Sequence, residues 1–104
     1  MSGPELTVGR GVVTEMVRLA AVEVPGVARV GRRGPGWRSF IAGPAVSTNL
    51  SGDGVRVHVW VVARPGQALL PLTRNVRTAV GATVERLLGM RLESVTVTID
   101  GVGG

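Results

Sequence analysis

The chain has 104 residues and a mass of 10.8 kDa, the size of one small domain, and 44% of it is hydrophobic, enough to build a core. It has no cysteine and a single histidine, His58, which excludes a disulfide framework, thiolate metal sites and a cysteine nucleophile and makes a His-based cage hard to build. The formal charge is +5 and all twelve basic residues are arginine, so no lysine is present to serve a P-loop, a Schiff base or a general base.

From the N-terminus, no apolar signal-peptide core follows basic residues. The longest apolar stretch, Val55 to Ala63, is interrupted by Arg56 and His58 and is far shorter than the roughly 20 residues of a membrane span. The expectation is a soluble, cytoplasmic chain. A short strand is expected at Glu5 to Val8. Val12, Val13, Met16, Val17, Leu19, Ala20 and Val24 then recur at the three- and four-residue spacings of an amphipathic helix, with Thr14, Glu15, Arg18 and Val22 on the opposite, mostly polar face. Pro25-Gly26 stops it, and a short strand is expected at Val27 to Val30.

Residues 31–44 combine glycine, proline and arginine, which argues for a long loop rather than helix or central strand. A weaker strand follows at Ala45 to Leu50, and Ser51-Gly52-Asp53-Gly54 carries the Asp-Gly signal of a hairpin turn. Beyond it Val55, Val57, Val59 and Val61 alternate with Arg56, His58, Trp60 and Val62, the period of a strand with one apolar face. Pro71 opens a second helix through Leu72, Val76, Val80, Val84 and Leu87, closed by Gly89. Val95, Val97 and Ile99 alternate with Ser94, Thr96, Thr98 and Asp100 in a last strand. The order strand, helix, strand, hairpin, helix, strand predicts a single α+β domain over residues 1–104. It is a two-layer sandwich, with two helices on one face of a mixed or antiparallel sheet. The other sheet face then shows Arg56, His58, Trp60, Thr96 and Thr98.

The sharpest candidate site is the basic, aromatic loop: Arg29, Arg32, Arg33 and Arg38 lie with Trp37, Phe40 and Ile41, and no acid occurs between Glu23 and Asp53. Arginines can neutralise phosphates while tryptophan inserts at an interface or stacks on a base. The plainer alternative is a surface loop whose Phe40 and Ile41 tuck onto the core. Four arginines near an anionic membrane contribute about 4 kcal/mol, a binding constant of order millimolar, so membrane association needs a partner or multivalency. Gly31-Arg32-Arg33-Gly34 matches the GXXG that clamps nucleic-acid backbone in KH domains, but it follows a strand rather than joining two helices. Arg56, His58 and Trp60 offer a second surface, for base stacking or a homodimer contact, or form an ordinary outer sheet face. Glu23 sits at the helix C-terminus, where the macrodipole disfavours an anion, and pairing with an arginine of the loop would resolve that. Glu5, Glu93 and Asp100 read as solvated strand ends and Asp53 as a turn residue. No carboxylate pair or His-based dyad is spaced for catalysis, and no cofactor or metal site is expected.

One stretch closes the first helix, Ala20-Ala21-Val22-Glu23-Val24-Pro25-Gly26-Val27, with the pattern A-A-x-E-V-x-G-V. The second runs from Gly54-Val55-Arg56-Val57-His58-Val59-Trp60-Val61-Val62 through Leu70-Pro71 and Leu88-Gly89-Met90 to Val95-Thr96-Val97-Thr98-Ile99-Asp100-Gly101-Val102. Both stretches resemble the alkaline-shock, envelope-stress-response protein family of mostly Gram-positive bacteria, the first being similar to that family's A-A-x-E-V-x-G-V signature. The likeness spans Leu6 to Val102; the Arg-rich loop, the lack of lysine and Arg64-Pro65 depart from it. It implies a cytoplasmic, non-enzymatic interaction or scaffold protein linked to cell-envelope stress and homeostasis. Such a protein self-associates and reaches the inner face of the membrane through a protein partner, for example a small membrane-anchored one. A small basic nucleic-acid-binding module using the Arg/Trp loop stands as the alternative.

Overall fold

A computed structural model of the chain describes residues 9–32, 44–52 and 54–103. Helix α1 (Arg10–Val22) leads into strand β1 (Val27–Val30), followed by β2 (Val46–Ser51) and β3 (Gly54–Ala63). Helix α2 (Leu69–Ala82) then runs into a π-helical turn (Thr83–Leu87) and strand β4 (Arg91–Val102). The strand expected at Glu5 to Val8, the turn residue Asp53, and Arg33, Trp37, Arg38 and Phe40 of the loop lie outside the described residues.

The alternating valines make β3 the centre of a mixed four-stranded sheet. β4 runs parallel to it along one edge, joined by the α2 crossover. β1 and β2 both pair antiparallel with the other edge, end to end: β2 lies opposite residues 54–59 and β1 opposite residues 61–63. Both helices cover the face to which Val55, Val57, Val59 and Val61 point, and none of these four is more than 2% exposed. Val13, Val17 and Ala21 on α1, spaced four apart, and Leu72, Val76, Val80 and Val84 on the second helix complete the core. Val62, expected on the outer face, is 3% exposed yet stands apart from this cluster, so it is buried on the opposite side of the sheet.

α1 ends as expected. Gly26 takes φ = 98°, a left-handed value that suits glycine, and its carbonyl accepts the Arg64 amide at 2.8 Å, tying the turn to the end of β3. A Cβ at Gly26 would collide with the Gln67 side chain and come within 3.1 Å of Leu72 Cδ1. α2 begins at Leu69, two residues before the predicted Pro71. That costs no hydrogen bond, because the first four amides of a helix have no intrahelical acceptor. The Leu88 amide reaches back to the Thr83 carbonyl at 3.2 Å, one residue further than an α-helical bond, widening the last turn before β4.

Candidate functional site

The outer face of the sheet is set by register. Arg56, His58 and Trp60 alternate along β3; Ser47 and Asn49 of β2 lie opposite His58 and Arg56, and Ser94, Thr96 and Thr98 of β4 pair with Arg56, His58 and Trp60. No described element packs over this face, which is a cationic and aromatic row flanked on both sides by hydroxyl and amide side chains.

Trp60 organises the row. The imidazole of His58 stacks on its indole with ring centroids 3.7 Å apart and planes 7° from parallel. The guanidinium carbon of Arg32 lies 3.8 Å from the Trp60 ring centroid, a cation–π contact. His58 Nε2 is 2.7 Å from Thr98 Oγ1 on the neighbouring strand. Burial first, and then the positive charge of Arg32, hold the His58 imidazole below the ordinary histidine pKa. Its neutral form is therefore the favoured one in this stack.

The same residue carries the base of the loop. Because β2 stops opposite Val59 and β1 starts opposite Val61, Trp60 falls in the gap between them. Its carbonyl accepts the Gly31 amide at 2.9 Å and its amide donates to the Ala45 carbonyl at 2.8 Å. Both ends of the 31–44 segment thus hang on one backbone unit. Arg32 Nε also donates to the Pro44 carbonyl at 3.4 Å, and Arg29 donates to the Arg32 carbonyl at 3.5 Å, drawing the two ends together through side chains.

Of the residues singled out in the sequence, Arg32, His58 and Trp60 meet in one cluster, with Arg29 at its margin. Arg56 turns toward Glu93 instead, its Nε donating to Oε2 at 2.8 Å while Arg91 holds Oε1 at 3.2 Å. Glu93 is therefore a bridge between two arginines and not a free, solvated strand end. Sequence periodicity hides this because Glu93 is an extra residue: Val55 pairs with Leu92 and Arg56 with Ser94. Gly54 makes room for it, since a Cβ there would sit 2.8 Å from Glu93 Cγ. Glu23 makes no ion pair among the described residues. It lines an open groove of about 460 Å³ with Met16, Leu19, Pro25 and Leu87, on the helical side of the molecule. Gly31 of the GXXG match serves as the hydrogen-bonded start of the loop after β1 rather than as a link between two helices.

Among the described residues no group of three or more His, Cys, Asp or Glu side chains is placed to hold a metal, and no helix is long and apolar enough to cross a membrane. The fold is that of a small α+β domain found in solved structures of MamM CTD. A manganese form of one MamM CTD variant superposes with a TM-score of 0.65 at 19% identity over 89% of this chain and 99% of that one. A copper form of another variant gives 0.66 at 19% identity over 89% and 98%. At that identity the likeness concerns the fold alone. No curated protein matches the chain. Residues 3–103 match the alkaline shock protein 23 family, and the chain belongs to that family, which has a cell envelope-related function.

Proposed function

We propose that this chain is a non-enzymatic interaction module of the cell envelope that binds a protein partner through the open sheet face and the arginine-rich segment whose two ends are anchored at Trp60. The observation that carries this reading is the double role of Trp60. Its side chain centres the His58–Arg32 cluster, and its backbone holds both ends of the 31–44 segment. The ends of the segment and the sheet face therefore share one residue, which supports a contact that uses both.

The charge distribution supports the same surface. Between Val24 and Gly52 there are four arginines and no acid, a local charge of +4, while the rest of the chain holds eight arginines and seven acids, only +1. Membrane association then comes from the partner, since the four arginines alone supply only about 4 kcal/mol at an anionic surface. Base stacking on Trp60 finds little support, because His58 already occupies an indole face.

Affinity capture with the chain as bait tests the reading, comparing wild type with Arg32→Ser/Arg33→Ser/Arg38→Ser and with Trp60→Ala. A specific envelope protein retained by wild type and lost from both variants is the expected result. Retention of the same protein by both variants would remove this surface as the contact.

A further inference from the structure

The helical side of the molecule is not closed. Its groove takes Met16, Leu19, Ala20 and Glu23 from α1, and Ala79, Thr83 and Leu87 from α2 and the π-helical turn. Spacings of three and four give each wall a single stripe of side chains. Small side chains at Ala20 and Ala79 leave the space, while Leu19 and Leu87 on opposite walls stand 42% and 69% exposed beside it. The π-helical turn contributes to this. In an unbroken α-helix Leu87 would lie about 80° around the axis from Ala79. The wider last turn brings it back over the groove.

The groove is apolar for most of its length and negative at one end. Glu23 is exposed, makes no ion pair among the described residues, and caps the C-terminus of α1, whose last turn has no basic residue. The carboxylate and the negative end of the helix dipole therefore coincide there, in a chain of net charge +5.

We propose that this groove receives an amphipathic helix of a partner protein, with its apolar stripe between Leu19 and Leu87 and a lysine or arginine against Glu23. The walls are helices whose backbone groups are bonded internally, so they offer side-chain packing rather than strand pairing. From Met16 to Glu23 the wall rises about 10 Å, about two turns of a docked helix, which seats three or four side chains of its stripe. The cation supplied by that helix offsets both Glu23 and the dipole end. An anionic lipid headgroup or a nucleic-acid phosphate would be repelled by both. This contact lies across the sheet from Trp60, so it is a second surface, separate from the open sheet face.

Two synthetic helices of about 15 residues test the proposal, identical in their leucine stripe, one with arginine at both ends and one with glutamate. Each is titrated into the isotope-labelled full chain and followed by amide NMR shifts. The arginine peptide shifts Leu19, Ala20, Glu23, Thr83 and Leu87 to saturation. It binds roughly five- to tenfold more tightly than the glutamate peptide, the difference between a partly exposed ion pair and a like-charge pair. The sign is diagnostic, because the net charge of +5 by itself favours the glutamate peptide. Glu23→Arg reverses the order of the two peptides without loss of thermal stability, since a cation suits the C-terminus of α1. Ala79→Phe fills the groove and abolishes both contacts. Trp60→Ala leaves both unchanged, which separates this surface from the open sheet face.

Equal affinity of the two peptides, a preference for arginine that survives Glu23→Arg, or shifts confined to the sheet face would overturn the proposal. So would groove shifts produced by concentrating the chain alone, or by phosphatidylserine vesicles in place of the peptides. Those results would assign the groove to a second copy or to lipid.

Discussion

Removing the Trp60 side chain separates its two roles, because the backbone bonds to Gly31 and Ala45 survive the substitution. Trp60→Ala loses the His58 stack, about 1 kcal/mol for an aromatic pair of this geometry, and the Arg32 contact, about 0.5–1 kcal/mol for a partly exposed cation–π pair. With some apolar area also returned to water, the expected loss of stability is about 2–3 kcal/mol, and each kcal/mol lowers the melting midpoint of a domain this size by roughly 4–8 °C. Urea unfolding followed by circular dichroism is the suitable assay, since Trp60 is one of only two tryptophans and its removal changes the fluorescence signal. The decisive measurement is the double-mutant cycle with Arg32→Ser. A coupling of about 0.5–1 kcal/mol is expected from the 3.8 Å contact. Losses that add to within about 0.3 kcal/mol would mean that Arg32 does not rest on Trp60, and the link between loop and sheet face would then be the backbone alone.

His58 gives a pH signature with a definite sign. Its folded-state pKa is depressed, so its contribution to stability is fully present above the ordinary histidine value and is lost as pH falls through the lower folded value. Denaturation midpoints measured at a series of pH values should decline on acidification through this window, and His58→Gln should flatten that slope. A slope unchanged by His58→Gln would assign it to other groups. In Arg32→Ser, NMR titration should place the His58 pKa higher than in wild type but still below the ordinary value, because burial, the larger cause, remains. Gly26→Ala combines a left-handed φ of 98° with a collision against Gln67, so chemical denaturation should show a loss of about 1–3 kcal/mol; a neutral result would mean that the turn after α1 relaxes freely.

What could be read in advance follows the range of the interactions. The two periodicities are local, and they located both helices, the four described strands and the core valines of β3. The open face was legible for the same reason: alternation alone puts Arg56, His58 and Trp60 together. Partner choice between strands is not local. Nothing in the alternation says that β1 and β2 divide one edge of β3 between them, and only that division leaves the Trp60 backbone free to hold Gly31 and Ala45. Arg32 was visible as part of a basic run, but its place over Trp60 depends on the same division. Extra residues defeat a strict two-residue period. Glu93 shifts the register and becomes the bridge between Arg56 and Arg91, and Val62, counted as outward, is nevertheless 3% exposed on its own side of the sheet.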